Sequence, residues 1–299
     1  MKIIFKTKFG SRLYGTHTNS SDYDFKTVYI PDAKSLILNK EVVSSHNARF
    51  MSDGTVAQDR ASVGPDGYEE EFIPVHKFLR GWAEGQTYVF EMLGAYHSDM
   101  HEYASDEFVF LYNAIRNIKN ENYVKMISFA KSQIITISER INNYNHFIAA
   151  RDILLTQNLT KNVGESLNHI AVSSDDQYVY VAGKKYAKNG KVKDALHSVN
   201  AQLQKYGSRV TGSIGNSDLK SISHAVRILD EVKTLREHGV ITFPLPKSEY
   251  YKNIKLGKIK KTTTELTEEL SSYDLSFVDN HEELSTIADS LILSLYNIN

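Results

Sequence analysis

Cysteine is absent from the 299 residues, which excludes disulfides, zinc-thiolate sites and thiol nucleophiles together. That absence also fits a reducing compartment. Neither charge dominates: 35 Lys and Arg against 36 Asp and Glu leave a net charge of −1. Such a balance argues against a large sequence-independent nucleic-acid footprint but leaves room for a local basic groove. No segment approaches the apolar length that crosses a bilayer. The N-terminal MKIIFKTKFGSR has too short an apolar run for a secretory signal, and cleavage there would destroy the motif that follows. The expectation is a cytoplasmic protein without a membrane partner. Repeats and low-complexity tracts are missing as well. Among eleven scattered histidines, the one i,i+4 pair, His97 and His101, has no Glu in the zincin arrangement and is read as surface or capping. With 41% hydrophobic and 24% charged residues, the chain is an ordinary globular one, long enough for two domains.

What is present is concentrated near the N-terminus. In GSRLYGTHTNSSDYDFKTVYI, Gly10-Ser11 is followed after ten residues by Asp22-Tyr23-Asp24. On a strand, residues i and i+2 share a face, so Asp22 and Asp24 would project into one small volume. Like charges held that close call for a cation, and hard oxygen ligands suit Mg²⁺ or Mn²⁺ supplemented by substrate phosphates. A Gly-Ser turn between an apolar strand and a short helix lets backbone N–H groups and a hydroxyl approach triphosphate oxygens. Either motif alone is equally a solvated edge or an ordinary turn. Their combination is the wiring of metal-assisted phosphoryl transfer.

Residues 1–40 read as strand, Gly-Ser turn, short helix, polar loop, strand and a further apolar stretch at Leu36-Ile37-Leu38. Residues 41–67 lose periodicity and carry Gly54, Gly64, Pro65 and Gly67, the composition of a mobile loop. Glu69-Glu70-Glu71 then opens a second acidic strand leading into a helix from His76. A third carboxylate is what two-metal chemistry still lacks. Glu71 is the first choice and Glu69 the reserve, the alternative being a solvated acidic edge. Beyond residue 100 the periodicity turns helical over 106–119, 121–157, 192–206, 217–237 and 281–297, with weaker patterns at 163–171 and 262–272. The last long helix would bury Leu284, Ile287, Leu291 and Leu295 along one stripe. Gln177 to Gly190 interrupts the helices as a β-hairpin.

In the helix at 217–237, Lys220, His224, Arg227 and Glu231 fall on one stripe. It is either a phosphate-lining face or a solvated face of i,i+3 and i,i+4 pairs.

Gly-Ser-Arg-Leu-Tyr-Gly-Thr with Ser21-Asp22-Tyr23-Asp24 resembles the GS…YG…SDxD signature of predicted nucleotidyltransferases in the DNA polymerase β superfamily, in particular a bacterial and phage group. His76-Lys77-Phe78-Leu79 through Glu91-Met92-Leu93, the Lys220…His224…Arg227 helix and Gly239-Val-Ile-Thr-Phe-Pro244 resemble the group's later blocks. Two departures stand out. Three glutamates replace the Asp that commonly opens the third acidic strand, and Gly85-Gln86-Thr87 stands where Gly-Asn-Pro is usual.

The resemblance implies an α+β fold: a small mixed-sheet, polymerase-β-like nucleotidyltransferase core over 1–100 and a mostly helical C-terminal domain over 101–299 with a hairpin insertion. It implies an enzyme with Asp22, Asp24 and Glu71, or Glu69, as catalytic residues and metal ligands. Gly10, Ser11, Arg12 and Tyr14 would bind the NTP, with ATP expected, and Lys220, His224 and Arg227 would face substrate. The implied reaction moves NMP from an NTP to a hydroxyl and releases pyrophosphate. An RNA 3′ end or tRNA-like acceptor is favoured, with Arg12, Lys77, Arg80, Lys220 and Arg227 as a basic track. The rivals are a protein hydroxyl, as in antitoxin-like adenylylation, a small molecule such as an aminoglycoside, and a catalytically idle nucleotide-binding module. The richness in Lys, Asn, Ile and Tyr hints at an AT-rich genome such as a phage's.

Overall fold

The computed structural model describes residues 1–19, 21–37, 47–51, 55–57, 67–171, 173–210, 216–271 and 280–297. Most of the loop expected over 41–67, including Gly54, Gly64 and Pro65, lies outside them, as do Leu38 and Ser272. The chain forms two compact units, one of residues 1–130, 225–253 and 268–299, the other of residues 131–224 and 254–267. They are interleaved in sequence, unlike the single boundary expected near residue 100.

The first unit is built on a mixed sheet. Its elements begin with β1 (Lys2–Phe9), α1 (Gly10–Tyr14), β2 (Tyr23–Ile30), α2 (Ala33–Ile37), β3 (Asn47–Phe50) and β4 (Tyr68–Pro74). They continue with α3 (Val75–Ala83), α4 (Thr87–His97), β5 (His101–Ala104) and α5 (Asp106–Ile115). The strand order is β3-β4-β2-β1-β5. Only β2 and β4 run parallel; the other pairings are antiparallel. β5 pairs with β1 and Phe108 of α5 stacks on Phe5 of β1 at 3.9 Å, which is why residues just past 100 belong with the sheet. Both rings are fully buried, and each such side chain stabilises the fold by about 1.5–3 kcal/mol.

After α5, α6 (Val124–Leu155) is followed by a 3₁₀ turn at Asn168–Ile170, β6 (Ser173–Ser174), β7 (Tyr178–Val181), β8 (Lys184–Ala187), α7 (Val192–Val210) and α8 (Asn216–His238). α9 (Ser248–Lys255), α10 (Thr263–Ser271) and α11 (His281–Leu295) complete the described elements. The unit boundaries fall within α6 after Ala130, within α8 after His224, within α9 after Asn253 and within α10 after Thr267. The second unit gathers Phe147, Leu154, Val179, Tyr186, Val192 and Val199 in one apolar cluster. Its hairpin turns at Ala182 and Gly183, both with positive φ, the backbone of a two-residue primed turn.

Three sequence expectations are corrected. The weak helix over 163–171 is only the 3₁₀ turn, because Val163 and Gly164 donate their N–H groups to the carbonyls of Gly190 and Lys188. Part of the stretch lacking periodicity is β3, pinned to β4 from Asn47↔Glu71 to Phe50↔Tyr68. On α11 the buried row is Leu284, Ala288 and Ile292, with Ile287, Leu291 and Leu295 half-buried beside it, an i,i+4 row that centres on the small Ala288. Among the described residues no helix is long and apolar enough to cross a membrane.

Candidate active site

The polar surface of β2 follows from period-2 alternation. Asp24, Lys26 and Val28 share one side, and Phe25, Thr27 and Tyr29 the other. The β1 register sets Phe9 opposite Asp24, so Gly10 begins α1 beside that carboxylate. Gly10 adopts φ +61°, and a Cβ there would stand 2.6 Å from Asp24 Oδ2. Glycine suits the position twice, through its backbone angle and because a Cβ would push against the carboxylate above it. Ser11 follows half-buried on α1, while Asp22 is exposed just before β2 and Asp24 half-buried within it.

Arg12 braces the entry to β2. Its guanidinium donates to the carbonyl oxygens of Ser21 at 2.8 Å and Asp22 at 3.2 Å and lies 3.4 Å from the Tyr23 ring centre. These bonds to backbone hold the strand start that carries both aspartates. Tyr14 is 4% exposed, and its hydroxyl donates to Glu91 at 3.1 Å. Burial, with Glu91 and Glu231 adding, pushes its pKa well above the ordinary tyrosine value. The Gly239 to Pro244 tail packs behind α1: Phe243 meets Tyr14 at 6.1 Å and the Leu245 N–H donates to the Tyr14 carbonyl.

The parallel β2–β4 register decides among the glutamates. Asp24 lies opposite Glu69, and Lys26 opposite Glu71. Glu69, the reserve choice from sequence, is thus the cross-strand neighbour of Asp24. Each of the two is held by a cation, Glu69 by Arg49 of β3 at 2.6 Å and Glu71 by Lys26. Glu70 points to the opposite side, 4% exposed, where Lys6 and Thr27 bind it. Lys26 is the residue that sequence reasoning passed over. It continues the Asp22, Asp24 alternation, and that period-2 spacing was the available signal.

Among the described residues no group of three or more His, Asp or Glu side chains is clustered to hold a metal ion. Asp22 and Asp24 supply hard oxygens from one short segment. That donor set fits Mg²⁺, which ordinarily takes one or two carboxylates and completes its shell with water and substrate phosphates.

The remaining predicted site residues separate. Arg227 is 4% exposed and pairs with Glu91 and with Glu231, itself 1% exposed. The α8 stripe is therefore not a solvated face at these positions, and Arg227 is turned into the first unit's core. Lys220, exposed, and His224, half-buried, belong to the second unit. His97 ends α4 and bonds the Tyr112 hydroxyl at 3.0 Å, whereas His101 begins β5, so the pair is not one helical face.

No solved structure matches the chain. A protein of Enterobacteria phage T4, named as an uncharacterized 38.9 kDa protein in the nrdC-mobD intergenic region, is 24% identical over 96% of this chain and 91% of its own length. A family described as the RNA repair pathway DNA polymerase beta family matches residues 1–44, the segment containing β1, α1 and β2. That match, on the segment where Gly10 and Asp24 meet, supports a polymerase-β-like nucleotidyltransferase.

Proposed function

We propose that the protein transfers a nucleoside monophosphate from an NTP, ATP foremost, to a hydroxyl acceptor, with an RNA 3′ end favoured. The observation carrying this reading is the Asp24 carboxylate seated over the Cβ-less Gly10 at the start of α1. An acidic group and the N–H groups that receive phosphate oxygens are thereby brought to one point. The family match over residues 1–44 supports the reaction class, and the RNA repair pathway in its description is the reason RNA is favoured as acceptor in this reading.

In this reading Gly10 and Ser11 hold the triphosphate, and Arg12 keeps the strand entry in place. Asp22 and Asp24 would hold Mg²⁺, which supplies charge neutralisation at the phosphates. The acceptor hydroxyl oxygen forms a bond to the α-phosphorus as the bond from that phosphorus to the bridging oxygen breaks and pyrophosphate leaves. The hydroxyl proton passes to a carboxylate of β4, with Glu69 favoured over Glu71 by register. Positioning and electrostatics carry most of the acceleration.

The test is incubation with each α-labelled NTP and Mg²⁺ or Mn²⁺, with cellular RNA and lysate protein as acceptors, beside Asp22→Ala/Asp24→Ala. Label entering RNA with the wild type alone is the expected result. Label in a protein band would move the acceptor to a protein hydroxyl. No transfer and no NTP binding would leave the idle module.

A further inference from the structure

A basic pocket lies beside the acidic surface, joined to it by Tyr88. Lys26 Nζ, which holds Glu71, stands 5.3 Å from the Tyr88 ring centre. Burial and the nearby Glu71 push the Tyr88 pKa up to about 12, so its hydroxyl keeps its proton. The same Tyr88 lines a cavity of about 310 Å³ with His76, Lys77, Arg80, Glu84 and Gln86. β4 runs into α3 at Pro74-Val75 without a break, so the glutamates and the basic turn occupy consecutive positions at one strand-helix corner.

The first turn of α3 is electrostatically incomplete. Its N-cap, Pro74, makes no side-chain capping bond, and the turn contains no acidic residue. It carries His76 and Lys77, where the helix dipole disfavours cations and welcomes anions. His76 Nδ1 is buried with no hydrogen-bond partner among the described residues, and burial, with Arg80 and Lys77 adding, holds the His76 pKa below its ordinary value. Glu84, the acid in the lining, is already engaged by Lys125 and Gln86. Among the described residues the ion pair of Arg80 is an exposed 3.6 Å contact with Asp289. A compact anion with several acceptor oxygens would answer Lys77 and Arg80 together.

Resting on the nucleotidyl-transfer reading, we propose that this cavity holds a backbone phosphate of a single-stranded RNA acceptor whose 3′ hydroxyl lies over the Asp24–Glu69 surface. Lys77 and Arg80 supply the charge, Gln86 a hydrogen bond, and His76 and the Tyr88 ring the walls, Tyr88 standing between phosphate and reaction centre. A protein or small-molecule acceptor has no backbone phosphate for the pocket to hold.

The experiment is fluorescence anisotropy of a labelled single-stranded oligoribonucleotide with a 3′ hydroxyl, over a salt series, on the full chain. Wild type is compared with Lys77→Ala/Arg80→Ala and with Lys77→Arg, and ATP affinity and thermal melting are measured on each. Lys77 and Arg80 are exposed, so the double variant is expected to melt like wild type. RNA affinity should fall about tenfold, and the slope of log affinity against log salt should flatten by about 0.7 per contacted phosphate. Lys77→Arg should bind near the wild-type level, and ATP affinity should not move. Unchanged RNA affinity and slope would overturn the proposal. So would a loss of ATP affinity equal to the loss for RNA, which would give the pocket to the nucleotide. RNA binding that depends on Lys77 and Arg80 without transfer from any NTP would overturn the transferase reading and spare the phosphate site. Transfer to protein with RNA affinity unmoved would do the reverse.

Discussion

Arg227 stands over the Tyr14 ring, its guanidinium carbon 3.8 Å from the ring centre, while pairing with both Glu91 and Glu231. One guanidinium thus answers two carboxylates in a site closed to water. Tyr14 closes α1, so this cage is the packing behind the Gly10-Ser11 turn.

Removing that charge should be costly. Arg227→Met is expected to lower stability by about 3–5 kcal/mol, because the buried Glu91 and Glu231 side chains lose their common partner. Lys220→Ala, at an exposed position of the same helix, should stay within about 0.5 kcal/mol of wild type. Urea unfolding of the two variants checks the contrast, and equal midpoints would count against it.

The cage should also make stability depend on pH. Burial raises the Glu231 pKa from 4.5 to about 8, against the pull of Arg227. The folded state therefore binds the proton more tightly than the unfolded one. Its stabilising contribution is complete below about 4.5 and is lost as pH rises through about 8. The slope contributed is at most about 1.4 kcal/mol per pH unit. Unfolding free energies measured from pH 5 to 9 should fall with pH in the wild type, and Glu231→Gln should flatten that trend.

Gly10→Ala places a methyl against Asp24 Oδ2 at a backbone angle L-residues rarely adopt. A cost of about 1–3 kcal/mol is expected, together with a loss of nucleotidyl transfer that excess NTP does not restore. Ala at Gly239, which also has positive φ but open space around it, should impair melting without touching transfer. Thermal melts paired with transfer assays separate the two.

The β2–β4 register ranks the glutamates. Glu69→Gln should reduce transfer by roughly a hundredfold or more as the general base is lost, while Glu71→Gln should cost less, since Glu71 lies opposite Lys26 and not opposite Asp24. The reverse order in turnover rates would restore Glu71 to the leading position.

The central strands, the hairpin at 178–187 and the long helices were legible because their apolar residues recur with clear periods. β5 was not: His101-Glu102-Tyr103-Ala104 has no buried alternate row and exists as a strand because β1 offers it an edge. The interleaved units were equally hidden, since helical periodicity in α6 and α8 does not say which core each turn joins. Gly10, Ser11, Asp22 and Asp24 could be named from spacing, but the tie between Gly10 and Asp24 depends on the β1–β2 register, a long-range choice. The α8 stripe misled for a related reason: Arg227 and Glu231 look like surface charges until Glu91, contributed from far along the chain, joins them.

Glu70 has a consequence for how the sheet aligns. Three identical acids in a row offer β4 no local mark of which belongs where, and a shift of one residue would exchange their two sides of the sheet. Lys6 and Thr27 grip the middle one in a buried setting that its neighbours, facing the other way, cannot enter. Glu70 thereby acts as a keyed tooth: while it is seated, Glu69 is the glutamate of β4 that lies opposite Asp24, and the chemistry of the outer side inherits its alignment from a contact on the inner one.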